Sequence, residues 1–353
     1  MKWPFFFRSI VTYLFIGIFG VANIGCSNGK HAKEIDNKEI PEPYLSEAAN
    51  QKDTIDVCSF NIQFLGMSTA RYNKALTDIL KGYDIVVVQE LVSPPYDGIF
   101  PDGTSYKPDS ESAGFFDGMK ANGFSYKLSE EDTGTGDKIH INSSATEWWV
   151  AFYKPDKVSI AADLPNGFIS DDRSNHDDYE RVPYAFPFRT ADDNMDFVLI
   201  SVHLQPGKKG SDKQRRKHEL SSIESWIRAN NEDEKDFIIL GDMNIYDASE
   251  LTDVTPEGFL SLNDECRPTN TNVNGPLPYD HVMYDTTYTK NEIDRVFDLH
   301  VINLIVEMER YWANISTDPY PGKNPYKHDE FRKYFSDHHP VVFKMVSPAD
   351  DDD

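Results

Sequence analysis

Four short strand-like segments in this chain, the last three of them nearly continuous apolar runs, each stop on a polar group. Ile55–Phe60 runs into Asn61, Asp84–Val88 into Gln89-Glu90, Phe197–Val202 into His203, and Phe237–Leu240 into Gly241-Asp242-Met243-Asn244. Short runs of this kind mark strands covered on both faces rather than strands with one wet side. Helical patterns lie between them. In Thr69–Lys81 the residues Tyr72, Leu76, Ile79 and Leu80 recur at helical spacing, with Gly82 as a stop. In Asp212–Ala229 one face carries Leu220, Ile223 and Ile227. Strands and helices in alternation describe a layered α/β domain.

Three further strands begin, rather than end, on polar groups. Glu147 precedes WWVAFY, Asp280-His281 precedes VMY, and Asp337-His338 precedes His339-Pro-Val-Val-Phe. If these run antiparallel to the first four, all seven ends meet at one edge, because a strand's exit and its antiparallel neighbour's entry share an edge. Glu90, Glu147, Asp242, Asp280, Asp337, Asn61, Asn244, His203 and His338 are then neighbours. So many acids repel one another, and their desolvation is costly. A divalent cation resolves this. Oxygen donors with few cysteines favour Mg²⁺, or Mn²⁺ or Ca²⁺, over zinc, and Mg²⁺ on few carboxylates points to phosphoester chemistry.

Composition sets the limits. The chain has 353 residues, a formal charge of −24 and three cysteines, so it is no disulfide-built scaffold and does not bind polyanions over its whole surface. No long apolar run follows the N-terminal region, which excludes a polytopic membrane protein. Against the acidic background, residues 207–218 carry Lys208, Lys209, Lys213, Arg215, Arg216 and Lys217 with Asp212 as the only acid. Lys208, Lys209 and Arg215 are candidate polyanion contacts; the alternative is a solvated charge run. No feature calls for a protein partner, so a monomer is expected.

The N-terminal region reads as an address. Lys2 and Arg8 precede an apolar stretch from Ile10 to Ala22, and Gly25 stands before Cys26. This resembles a bacterial lipoprotein signal over residues 1–26. A lipidated Cys26 implies an outer-membrane or cell-surface protein; without lipidation the protein is periplasmic or secreted. Residues 27–53 are polar with Pro41 and Pro43 and read as a flexible tether, 54–347 as the folded domain, and 348–353 as an acidic tail.

Phe-Asn-Ile-Gln (60–63), Val-Val-Gln-Glu (87–90), Glu-Trp-Trp-Val-Ala-Phe-Tyr-Lys-Pro (147–155), Ser-Val-His-Leu (201–204), Gly-Asp-Met-Asn (241–244), Tyr-Asp-His (279–281) and Ser-Asp-His-His-Pro (336–340) occur in this order. In this set the chain resembles the endonuclease/exonuclease/phosphatase superfamily, with its deoxyribonuclease I-like fold. The resemblance implies a four-layered α/β sandwich, two packed mixed sheets flanked by helices. It implies Glu90, Asn61 and Asp337 as metal ligands and Asp242 as the group that orients or deprotonates the attacking water. Asn244 is then a phosphate donor, His203 pairs with Glu147, His338 pairs with Asp280, and Arg181 contacts substrate phosphate. The expected activity is metal-dependent phosphodiester hydrolysis, with nucleic acid as leading substrate. A phosphatase, a sphingomyelinase-like enzyme or a non-catalytic surface-binding lipoprotein are the alternatives. His281 stands where secreted deoxyribonucleases of this family carry Arg, which leaves the substrate open.

Overall fold

The computed structural model describes residues 54–67, 70–134, 146–171, 176–232 and 234–347. The leader, Cys26, the tether and the acidic tail lie outside the described residues. From the N-terminal end come β1 (Thr54–Leu65), α1 (Asn73–Leu80), β2 (Ile85–Leu91), the short β3 (Gly98–Ile99) and β4 (Ser105–Tyr106), α2 (Ser110–Ala121) and β5 (Ser125–Leu128). Next are β6 (Trp148–Tyr153), β7 (Val158–Ile160), β8 (Gly167–Phe168), β9 (Tyr184–Thr190), β10 (Asp196–His203), α3 (Gly210–Ala229) and β11 (Phe237–Asp242). The last part holds α4 (Ala248–Val254), β12 (Phe259–Ser261), β13 (Asp280–Asp285), β14 (His300–Val301), α5 (Leu304–Glu307), α6 (His328–Tyr334) and β15 (Val341–Val346).

One sheet has the order β14-β15-β1-β2-β6-β5, the other β12-β13-β11-β10-β9-β7, with β8 also paired to β9. Side chains alternate across each strand, and both faces are buried. Val57, Val87, Ala151 and Phe343 of the first sheet meet Phe186, Leu199, Leu240 and Val282 of the second in a shared core. The opposite face of the first sheet, with Phe60, Val86 and Val88, packs on Leu76, Leu80, Phe115 and Phe331 from α1, α2 and α6. The outer face of the second, with Val198, Ile200 and Val202, takes Leu220, Ile223 and Ile227 of α3 and Leu251 of α4. Each such buried side chain contributes about 1.5–3 kcal/mol. The architecture is therefore the expected four-layered sandwich, and the double burial explains why the strands read as continuous apolar runs.

Direction places the strand ends. β1 and β2 are parallel, as are β10 and β11. β15 runs antiparallel to β1, β6 to β2 and β13 to β11. The exits of four strands and the entries of three thus share one rim. Two ladders break at this rim, β1–β2 between Asn61 and Leu65 and β2–β6 between Val88 and Leu91. Gln63, Phe64 and Glu90 there adopt φ of 59°, 54° and 61°, backbone that non-glycine residues adopt only where the surroundings impose it.

Two helix boundaries differ from the sequence pattern. The first helix begins at Asn73, because the Tyr72 N–H is drawn away to the Tyr334 carbonyl at 3.0 Å. The third begins at Gly210, where Asp212 Oδ2 accepts the Lys209 N–H at 2.9 Å and closes the amino end two residues early.

Candidate active site

Asp242, at the end of β11, is the centre of the rim. Its Oδ2 accepts from Asn61 Nδ2 at 3.0 Å and lies 3.5 Å from both His203 Nε2 and His338 Nε2. Its Oδ1 accepts the Asn244 N–H at 2.9 Å. The approach depends on Gly241, whose φ is +140° and where a Cβ would stand 2.1 Å from the Val202 carbonyl oxygen. Only glycine lets β11 lie so close to β10 that His203 and Asp242 come level.

Each imidazole is backed by a carboxylate. His203 Nδ1 meets Glu147 Oε1 at 2.6 Å, and His338 Nδ1 meets Asp280 Oδ2 at 2.8 Å. Burial works against the charged form of both rings. For His338 the charges of Asp280 and Asp242 outweigh it and hold the ring well above the ordinary histidine range. For His203 burial and Arg181 push down, but Glu147 and Asp242 prevail and the net shift is upward. Burial alone would raise Glu147; His203 and Arg181 instead keep it below the usual carboxylate range. The rim therefore holds two imidazolium-favouring rings aimed at one carboxylate oxygen.

The carboxylate side is less compensated. Glu90 Oε1 accepts from Asn61 Nδ2 at 2.9 Å and Oε2 from the Phe64 N–H at 3.0 Å. Burial pushes its carboxyl up to about 7; His203 opposes this, while Asp337 and Glu147 add to it. Asp337 Oδ2 is held by Gln63 Nε2 at 2.9 Å, and its Oδ1 is buried without a hydrogen-bond partner. Glu90, His203 and Asp242 offer ligand atoms that all lie within 4.8 Å of one another. Buried, mutually repelling carboxylates and an orphaned oxygen fit a divalent cation, and oxygen donors fit a hard one.

Not every expected residue stands as its expected role requires. Asn61 turns its amide nitrogen, not its oxygen, toward Glu90 and Asp242, because two carboxylates attract a donor; its oxygen accepts the Gln63 N–H at 3.0 Å. Arg181 is not displayed to a ligand. It is buried, with Nε in ionic contact with Glu147 Oε1 at 2.6 Å and Nη1 3.5 Å from the His203 carbonyl. Arg215 is likewise committed, its guanidinium bound to the carbonyls of His176 (2.8 Å) and Asp177. Asn244 spends one amide N–H on the Leu204 carbonyl at 3.1 Å, and among the described residues the other has no partner. Lys208 and Lys209 are exposed.

Other residues hold the rim and gave little sign of it in the sequence. Ser336 Oγ donates to the Asn61 carbonyl at 2.8 Å and accepts the His338 N–H at 3.0 Å. Arg71 binds the carbonyls of Ile62, Gln63 and Phe335 and pairs with Glu111 at 2.6 Å, tying the β1 turn to the segment before Asp337. Glu219 of α3 accepts the N–H groups of Glu180 at 2.7 Å and Gln205 at 2.9 Å, beside Arg181 and His203. Ser336 and Gln63 lie inside the conspicuous motifs. Arg71 and Glu219 act only through distant backbone, which no local pattern records. His281 and His339 are buried and pushed down to about 4 by burial, neutral packing groups rather than acids or bases.

The pattern of the Endonuclease/Exonuclease/phosphatase family matches residues 58–338. No curated protein matches the chain. Among solved structures, an endonuclease/exonuclease/phosphatase family protein of Bacteroides thetaiotaomicron is similar at 15% identity and a TM-score of 0.51, covering 84% of this chain and 99% of that one. A mannosyl-6-phosphatase of the same organism is similar at 15% identity and 0.49, covering 83% and 99%. D. rerio TDP2 complexed with a single-strand DNA product is similar at 13% and 0.46, covering 83% and 98%. At 15% identity the first of these likenesses speaks to fold alone, and nothing is drawn from the other two. With the family pattern running from the first strand to the last histidine pair, the chain belongs to the Endonuclease/Exonuclease/phosphatase family of phosphate-ester hydrolases.

Proposed function

We propose that the protein is a Mg²⁺-dependent phosphodiesterase that cleaves nucleic acid outside the cytoplasm, tethered to a membrane through a lipidated Cys26. The observation that carries this reading is the pair of carboxylate-backed imidazoles, both 3.5 Å from the same Asp242 oxygen. A diester needs a base near the water and a proton for the leaving alkoxide, and this geometry supplies both.

Asp242 orients the attacking water and draws its proton. His203, kept charged by Glu147, is placed to protonate the leaving oxygen. His338, kept charged by Asp280, and the free N–H of Asn244 take up charge growing on the non-bridging oxygens. Glu90 and Asp337 would hold the divalent cation, beside Asp242. When bound, it neutralises charge on a phosphate oxygen as a Lewis acid. Arg181 keeps Glu147 ionised and so acts through the His203 pair rather than on the substrate.

The test is purified protein incubated with plasmid DNA, RNA, p-nitrophenyl phosphate and sphingomyelin, with Mg²⁺ or with EDTA. Nucleic-acid cleavage that EDTA abolishes is expected. Turnover of the monoester or the lipid with intact nucleic acid would replace this reading by a phosphatase or a sphingomyelinase-like one. No metal-dependent turnover at all would favour a binding module.

A further inference from the structure

We infer that Lys208 and Lys209 form a subsite for a second phosphate of a nucleic-acid strand, beyond the phosphate at the catalytic rim; this rests on the phosphodiesterase reading above. The six basic residues of 207–218 divide sharply by what they touch. Arg216 is buried on Glu250 at 2.5 Å and on the carbonyls of Gln205 and Gly207 at 2.7 and 2.9 Å. Lys213 and Lys217 share Asp253 at 3.3 and 3.0 Å. Arg215 is spent on two carbonyls. Among the described residues, Lys208 and Lys209 alone of the six have an ammonium or guanidinium head bound neither to an acid nor to a carbonyl, in a chain of formal charge −24 where acids outnumber bases 59 to 35.

The two lysines line a concave pocket of about 460 Å³ with Lys213, Tyr246 and Leu277; its two acids are engaged, Asp247 with the Glu250 N–H at 2.9 Å and Glu250 with Arg216. A row of rings joins this pocket to the rim. Lys208 Nζ lies 5.1 Å from the centre of Tyr246, Tyr246 meets Tyr279 edge-on at 5.3 Å, and Tyr279 lies 5.6 Å from the His338 ring. Tyr246 is also two residues beyond Asn244, and Lys208 five beyond His203. The amino end of α3 is already closed by Asp212, so the ammonium groups, not the helix terminus, are what a ligand meets. Ammonium groups suit phosphate as point charges. A flat anionic membrane fits worse, because two lysines in a hollow do not offset repulsion from the rest of the surface.

The experiment compares wild type, Lys208→Ser/Lys209→Ser and Lys208→Arg/Lys209→Arg. The substrates are a labelled single-stranded oligonucleotide and bis(p-nitrophenyl) phosphate, a diester with no second phosphate. Oligonucleotide affinity is read by anisotropy in EDTA, apart from turnover. The Ser pair should raise KM and Kd for the oligonucleotide about 10-fold and lower the slope of log Kd against log salt by about 0.7, the share of one single-strand phosphate contact. The Arg pair should restore both, and kcat/KM for bis(p-nitrophenyl) phosphate should stay within about twofold in all three. Unchanged oligonucleotide KM and Kd in the Ser pair overturns the inference while leaving the nuclease reading intact. Equal loss on both substrates also overturns it, since the lysines would then serve the reacting centre or the fold. Loss of binding to phosphatidylglycerol vesicles with unchanged oligonucleotide binding would reassign the lysines to a membrane. Wild type that hydrolyses bis(p-nitrophenyl) phosphate but neither binds nor cuts the oligonucleotide would remove the nuclease reading, and this inference with it.

Discussion

Asp242 accepts from Asn61 and Asn244 and faces two imidazoles, so its neighbours share one task and their effects will not add. Glu90→Ala and His203→Ala should each lower kcat by about 10²–10⁴-fold with unchanged circular dichroism; near-normal rates in either would mean the assignment is wrong. Glu147→Gln makes a directional test. It removes the charge that lifts His203 and leaves Arg181 pressing downward, so the imidazolium loses its proton at lower pH. The alkaline limb of the kcat/KM profile should move to more acid pH, and a profile that stays in place would take His203 out of the proton-donor role. At this scale the sequence was readable where a polar group closes an apolar run, since burial makes such a group expensive unless it has a purpose. Arg181 and Arg215 were not readable. Whether an arginine faces a ligand or a buried partner is decided by Glu147, His176 and Asp177, all distant in the chain.

Among the elements, β10, β11 and α3 bear most on function. Gly241→Ala places a methyl group against the Val202 carbonyl and should force β11 away from β10. A Tm lower by several degrees, together with loss of turnover, is the expected result, and a variant with wild-type Tm and rate would show the contact to be unimportant. Glu219 on α3 gives a pH signature. Burial raises its carboxyl to about 7, although the Gln205 and Glu180 N–H groups pull the other way. Between the ordinary carboxylate range and pH 7 the folded protein keeps a proton that the unfolded chain has lost. Stability is therefore greatest below that window and falls as pH rises through it, by on the order of 2–3 kcal/mol. Tm should drop between pH 5 and 8, and Glu219→Gln should flatten the drop; parallel curves would contradict this. Seven strands were legible because both faces are apolar, and the bodies of α1 and α3 because of their period; β9, interrupted by Pro187, and α2 were not. The start of α1 was not, since a carbonyl on Tyr334 settles it.

The molecule as a whole is strongly acidic, and its rim concentrates that charge. Millimolar Mg²⁺ should raise Tm and EDTA should lower it, by RT ln(1 + [L]/Kd) for an ion bound only by the folded state; a Tm indifferent to both would argue against a resident cation. The proposed lipid anchor has its own assay. In a bacterial host Cys26→Ser should shift the protein from the membrane to the soluble fraction, and unaltered partition would discard the anchor.

The first long strand of the sandwich pairs with its last, Ser59 lying opposite Val341, and the candidate active site draws on residues from Asn61 to His338. A fragment that ends before Asp337 lacks that carboxylate and the His338 partner of Asp280, so the rim is whole only once the last strand lies against the first.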